Sequence, residues 1–446
     1  MPSVDPVRET MLMPSRFASG TFPISKGYNL RQMLYSHPSA RDGDGPGLSA
    51  SEEIIPAFPF NDAPIYADTL HLETLAFHNF WGCLLTPENV ASLIQTDDIR
   101  YHVWVAAKRV IESRRIDVTN EEGLVAAVLE QFLVEVTLAL LDLCPGPVLV
   151  FIDPRLHDDA DAMVARARSM IAKFDAANIR RWRVVVTLPA TEDGIHAAAE
   201  LNEHAIQTNL SLVSCLPHAS ACIEAGARLL TMSVGPILEW FEQQDKITPR
   251  VSSTSSNHPG IEVIQSCATY IHRHRLNTSI VTTEMRTWSE LKQLNGIGGA
   301  ALSKNHLDQI PKQKLATWYP RPDDTSGATM RSREAEYPSR YLDSKQGFLA
   351  SLPAQCRSLV SAVLYVRLGK MKVHMEDIAL VVRDEVRRRV ELETMDLDCL
   401  YRRPAQQVTK PKKTSSSKRS KSSARSKPPL GQAEEPAPLI EGVEYF

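Results

Sequence analysis

The feature that most constrains this chain is a rhythm. Short apolar runs at 65–69 (IYADT), 81–86 (WGCLLT), 147–153 (PVLVFID), 183–190 (RVVVTLPA), 210–214 (LSLVS), 228–234 (RLLTMSV), 278–283 (TSIVTT) and 297–303 (IGGAALS) recur over some 240 residues. Helix-period segments lie between most of them, at 119–142, 158–178, 191–205, 217–226, 236–246 and 258–276. Several open with acids or cap residues, as at Asp158-Asp159 and Thr191-Glu192-Asp193, where they complement the helix dipole. Eight strand-sized runs alternating with helices over about 250 residues predict a (β/α)8 TIM-type barrel. The competitor is an open doubly wound sheet, whose GxGxxG fingerprint is absent. Gly296-Ile-Gly-Gly299 comes late, has the wrong spacing, and reads as a tight turn.

The rest of the 446 residues divides by composition. Residues 1–60 are rich in Pro, Gly and Ser and read as a disordered leader with a short helical segment around 28–36. The barrel is expected over 61–313, and 314–345 is polar and Pro-punctuated, which suggests a linker. Helical pattern at 346–368 and 374–395 predicts C-terminal helices packing on the outside of the barrel within 346–400. A basic low-complexity tail fills 401–446. Charge is as uneven as composition: 50 Lys+Arg against 53 Asp+Glu give a net −3. The last 46 residues hold ten bases and four acids, so residues 1–400 keep 40 bases and 49 acids, a net of −9.

Seven scattered cysteines, never in a CxxC pair, argue for reduced thiols and against a zinc site. Among thirteen histidines, His272-Arg-His274 is the closest pair to a metal spacing. In a helix, i and i+2 do not face each other, so no metal is expected. No apolar run approaches the ~20 residues of a membrane helix, and the N-terminus carries no signal-type apolar stretch. The expectation is a cytoplasmic protein without membrane contact. The tail 410–427 (KPKKTSSSKRSKSSARSK) has the composition of a nuclear-import or polyanion-binding arm, or of a solvated serine-rich phosphorylation target. It lacks aromatic residues for stacking on single-stranded nucleic acid. Oligomeric state is not legible.

Three stretches carry a family resemblance. TNLSLVSCLPHASACIEAGARLLTMSVGPILEW (208–240) resembles the transaldolase segment that runs from a strand's Asn-x-Thr through Ala-Glu-Ala-Gly to Val-Gly-Arg-Ile-x-Asp-Trp. VLVFIDPRL (148–156) is similar to that family's Glu-Val-Asp strand, and RVVVTLPATEDGIHAA (183–198) to its Lys-x-Pro-Ala-Thr-x-Glu-Gly-Ile strand and helix start. Weaker echoes fall at 65–69, 81–90 and 282–303, so the resemblance spans about 62–310 in order. It implies a class I aldolase-type barrel of sugar-phosphate metabolism and the pentose phosphate pathway. Such enzymes move a dihydroxyacetone unit between sugar phosphates with no cofactor. A lysine amine attacks the ketose carbonyl and forms a Schiff base, carboxylates shuttle protons, and cationic groups hold the phosphate.

Laid on this chain, much of that machinery is replaced. The Schiff-base lysine falls at Thr187 and the strand glutamate at Phe151. The Asn of a Thr-Asn-Pro turn falls at Thr86, and one phosphate arginine at Pro236. Asp68, Asn209, Ser211 (for the family's Thr) and Arg286, at a second phosphate arginine, remain. Asp68 is the candidate catalytic acid/base, or a residue left to hydrogen-bond at a strand end. Arg286, Asn209 and Ser211 are the candidate substrate and phosphate ligands, or structural polar groups. Threonine cannot form an imine, and Arg181 and Arg183 beside the strand are no carbonyl nucleophiles. The expectation is therefore a transaldolase-like pseudoenzyme that binds a sugar phosphate or another phosphorylated metabolite. The alternative is an active transaldolase or divergent aldolase using residues not yet identified. Cys215, with His218 near in sequence, is a conceivable nucleophile, though a buried thiol is the simpler reading.

Overall fold

The computed structural model describes residues 64–78, 80–113, 120–247, 258–309 and 327–401, with side chains as far as 392. The predicted leader 1–60, with its helical segment at 28–36, and the basic stretch 402–446 lie outside the described residues.

Each of the eight apolar runs forms a strand: β1 Ile65–Ala67, β2 Gly82–Leu84, β3 Val148–Phe151, β4 Val184–Pro189, β5 Thr208–Ser211, β6 Leu229–Ser233, β7 Ser279–Thr283 and β8 Gly299–Leu302. They pair in parallel in chain order, and β8 closes on β1 to complete the barrel. The helices, in order, are α1 Leu72–Phe77, α2 Pro87–Leu93, α3 Asp97–Glu112, α4 Glu121–Leu141, α5 Ala160–Ala176, α6 Glu192–Glu203, α7 Leu216–Glu224, α8 Val234–Ile247, α9 Pro259–His274, α10 Trp288–Lys292, α11 Lys304–Leu307, α12 Gly327–Glu334, α13 Phe348–Ser351, α14 Ala354–Val360 and α15 Val366–Tyr401. Caps fix several starts. The side chains of Asp159 and Thr191 accept from the backbone N–H groups of Ala162 and Gly194, satisfying donors the first turn leaves open.

Strand parity divides the sheet into two cores. Val148, Val150, Val184, Val186, Leu210, Leu230, Met232 and Ile280 face outward into the helical layer. Tyr66, Leu84, Leu149, Val185, Leu229, Val281 and Ala301 face inward and pack together in the barrel interior. The Tyr66 ring fits because its neighbours at 82 and 299 are glycines: a Cβ at either would meet the ring at under 3 Å. Packed side chains therefore fill the lower interior, as expected of a barrel core.

Helix α4 is apolar on all sides. At 21 residues it meets the length and composition of a membrane span, contrary to the expectation that no run does. Here it is a core helix between α3 and α5, which explains apolar residues on every face. Its two buried carboxylates are paired. Glu135 accepts from Arg109 at 2.5 Å and from Gln131 at 2.7 Å. Glu130 accepts from Ser169, Lys173 and Arg166 at 2.5, 2.6 and 3.1 Å.

The C-terminal region differs from the expected linker and two outer helices. Residues 327–345 are not bare linker: α12 packs on α9, Arg331 pairs with Glu262 at 2.9 Å, and the Tyr270 hydroxyl donates to the Glu336 carbonyl at 2.8 Å. After α14 the chain makes one π turn, Ser361–Tyr365, and continues as α15. Gly369, at which the periodicity suggested a break, stays inside that helix. A mid-helix glycine costs about 1 kcal/mol, which burial of Leu368, Met375, Ile378 and Val382 offsets. Rather than only covering the outside, the start of α15 lies at the mouth of the barrel.

Candidate functional site

A cavity of about 230 Å3 opens at the C-terminal ends of the strands, the end where barrel folds carry their sites. Leu84 and Ala301, from the inward-facing core, contribute to its base. The next inward positions up the strands, Phe151, Thr187, Ser211, Thr231, Ser233 and Thr283, make the wall. The rim comes from Asp68, the Thr86–Asn89 turn, Glu284, His306 and one face of α15.

Asp68 follows β1, its N–H donating to the Leu302 carbonyl at 2.9 Å. Its carboxylate accepts from the Asn89 side chain at 2.5 Å, and Asn89 is itself placed by the Thr86 cap of α2. Burial pushes the Asp68 carboxyl up to about 6; the Asn89 hydrogen bond opposes that shift, and the nearby charge of Glu88 adds to it. A carboxyl with that pKa in a cavity can hold or release a proton near neutrality.

Thr187 stands on the inner wall of β4 and is held in a neutral ladder across three strands. Its hydroxyl accepts from Asn209 Nδ2 at 3.1 Å, while Asn209 Oδ1 accepts from the Thr231 hydroxyl at 2.8 Å. Asn209 is fully buried within this ladder and is not among the cavity-lining residues. Ser211 does line the cavity, and its hydroxyl donates to the Leu188 carbonyl at 3.2 Å. Phe151 pairs in register with Thr187 on the adjacent strand. The positions the resemblance assigns to the amine and the glutamate thus present a hydroxyl and a phenyl ring side by side.

Arg286 lies away from the cavity lining. Its guanidinium donates to Glu290 at 2.8 Å and pairs with Glu242 at 3.0 Å, in a clamp that also closes the capping box of α10. Pro236, at the other arginine position, carries no charge. Basic side chains reach the cavity from elsewhere: Arg367, Lys370 and His374 of α15 line it with Met371 between them. Spacings of three and four residues put these side chains on one helical face. Arg367 forms an ion pair with Glu284, and Glu284 also accepts from Ser233 at 3.0 Å.

Two cavity residues, Leu212 after β5 and Glu284 after β7, have φ of 66° and 52°. Such left-handed backbone is uncommon for residues other than glycine, and strain of this kind gathers at functional sites. At the Glu284 turn Gly235 approaches closely: its N–H donates to the Glu284 carbonyl at 3.0 Å, and a Cβ there would meet that oxygen at 2.8 Å.

The His218 imidazole turns away from any role beside Cys215. Its Nε2 lies 2.7 Å from the Ala190 carbonyl, and burial lowers its pKa to about 4. Burial likewise raises the Cys215 thiol. Among the described residues no group of three or more His, Cys, Asp or Glu could hold a metal ion.

The sequence reading missed the basic residues of α15 because they lie beyond the resembling motifs. The only signal available was their spacing of three and four residues on a helix whose position was not yet known. Compared with known families, the chain matches the family model for Transaldolase/Fructose-6-phosphate aldolase over residues 105–344, more than half of its length.

Proposed function

Because this chain belongs to the Transaldolase/Fructose-6-phosphate aldolase family, we propose that it keeps the ancestral sugar-phosphate barrel as a binding or regulatory pseudoenzyme. It takes up a small phosphorylated metabolite without forming a Schiff base. The observation that carries this reading is the inner wall of β4. Thr187 replaces an amine with a hydroxyl already committed to Asn209, and Phe151 beside it can move no proton. A hydroxyl cannot condense with a ketose to an iminium, so the covalent step has no nucleophile there. The cavity itself is open to a ligand. At about 230 Å3, with hydroxyls on the wall and charges at the rim, it suits a compact polar metabolite better than a drug-sized apolar molecule, for which pockets run ~300–1,000 Å3.

One observation favours the rival reading of an active transaldolase or divergent aldolase: Lys370 brings an amine to the cavity from outside the barrel. Incubation with fructose 6-phosphate, borohydride reduction and intact-mass measurement separates the two. No adduct is expected. A covalent adduct mapped to Lys370, or to any other lysine, refutes the pseudoenzyme reading.

A further inference from the structure

We infer that α15 supplies an anion subsite to the cavity, with Lys370 and His374 receiving the charged end of the bound metabolite. The inference rests on the binding reading above and deepens it, because it says which residues recognise the charge and that they lie outside the family-matched span. Three observations carry it. First, the cations at the family's phosphate positions are out of play: position 236 is proline, and Arg286 is clamped by Glu242 and Glu290 outside the cavity lining. Second, among the described residues Lys370 and His374 line the cavity with no hydrogen bond or ion pair of their own. The third basic residue of α15 at the cavity, Arg367, is committed to Glu284.

Third, the helix is fixed in place for this role. The π turn at Ser361–Tyr365 ends two positions before Arg367, with Val363 and Leu364 buried in it, and Leu368, Met375 and Ile378 anchor the adjoining stripe. Single π turns inside helices are frequent at functional sites, where they shift the face that follows. Here the face that follows carries Arg367, Lys370, Met371 and His374.

The carboxylates facing the same space are Asp68, Glu88 and Glu284. Glu284 is neutralised by Arg367, and Asp68 is hydrogen-bonded to Asn89. Glu88 is exposed on the rim. An ammonium and an imidazole at i and i+4 provide convergent donors for an oxyanion, while the Ser211, Thr231 and Ser233 hydroxyls across the cavity suit a polyol. A metabolite with a hydroxylated body and one anionic end, phosphate or carboxylate, matches that polarity.

The test is a thermal-shift titration of the full chain with fructose 6-phosphate, fructose, gluconate and inorganic phosphate. It is repeated on Lys370→Gln, His374→Gln and Arg286→Gln. Lys370 is exposed, so its variant is expected to keep the unliganded melting temperature. Fructose 6-phosphate should stabilise the native protein by mass action. Either α15 substitution should weaken it about tenfold, the size of one charge-assisted contact. A stronger shift with gluconate than with fructose 6-phosphate, lost in Lys370→Gln, supports the subsite and makes its ligand a carboxylate. Equal shifts in the wild type and both α15 variants overturn the inference and leave the binding reading standing. So does loss of the shift in Arg286→Gln alone. No shift with any of the four probes overturns the binding reading and the subsite with it.

Discussion

Asp68 offers the sharpest test of the site, because its environment works against its charge. Burial moves its pKa from 3.8 to about 6 even though Asn89 donates to it. Between those values the native protein holds a proton that the unfolded chain has released, so stability falls as pH rises through this window. Above about pH 7 the carboxylate is charged in both states and the penalty is complete. At about 1.4 kcal/mol per pH unit the gap bounds that penalty near 3 kcal/mol. Asp68 is half-buried at the cavity edge, so screening by solvent brings the expectation to about 1–3 kcal/mol. Asp68→Asn keeps an oxygen for Asn89 to donate to and removes the charge. Urea unfolding of both proteins from pH 4 to pH 8 should show little difference at the acid end. A gain for the variant should grow between pH 4 and pH 6 and level off above pH 7. A difference that is flat across the range, or a variant less stable at pH 8, refutes the claim that desolvation governs this carboxyl.

Three further outcomes follow from the same geometry. Thr187→Lys restores an amine to β4 and breaks the Thr187–Asn209 bond. It should lose about 1–3 kcal/mol and give a borohydride-trapped adduct with fructose 6-phosphate but no transfer in a coupled assay, because Phe151 still occupies the acid's place. Arg109→Met leaves Glu135, fully buried, without its guanidinium. It should cost about 3–5 kcal/mol in denaturant titration, with much of the loss recovered in the Arg109→Met/Glu135→Leu double variant. Among the described cysteines Cys356 is the half-exposed one, and a hydrogen bond from Cys215 holds its thiol below the usual value. Timed iodoacetamide labelling with peptide mass analysis should therefore find it alkylated before buried Cys83, Cys215, Cys222 and Cys267.

The barrel was legible because its signal is repeated. Val148–Phe151, Val184–Pro189 and Leu229–Ser233 are runs buried on both faces, with helix-period segments between them. An error at one boundary leaves the alternation intact, as at β5, which begins at Thr208 rather than Leu210. The inner wall was legible for a different reason: a strand's side chains alternate, so matching a motif to β4 also fixes which residues face in. The resemblance put Thr187 and Phe151 at the amine and glutamate positions; that they stand at one level of the wall is set by the β3–β4 register. Asn209 could be placed on that wall too, but not its commitment to Thr187 and Thr231, which depends on rotamers across three strands. Arg286 lies outside the cavity lining, held by Glu290 four residues on and by Glu242, 44 residues away; no local pattern carries the second of these pairings.

The cavity owes its charge to a segment that the barrel pattern does not require. Eight strands and their helices are complete by α11, yet the cationic face at the mouth belongs to α15, which comes after a further 58 residues. Thr187 and Phe151 both pack well on a strand, so the barrel keeps its shape with a hydroxyl and a phenyl ring on its inner wall, while the basic groups at its mouth come from outside the barrel. Arg367 meeting Glu284 ties the added helix to the turn after β7, whose left-handed residue strains the backbone at that point. An ion pair that both anchors α15 and neutralises a cavity carboxylate makes the site's charge depend on the helix being seated. On this account Arg367→Gln should do more than loosen α15. It should free the Glu284 carboxylate within the cavity and set it against any anion that Lys370 and His374 receive. The variant should bind fructose 6-phosphate more weakly than the wild type, and Arg367→Gln/Glu284→Gln should recover part of the loss. If the double variant binds no better than the single one, Glu284 does not act through its charge and the coupling of helix to cavity is steric.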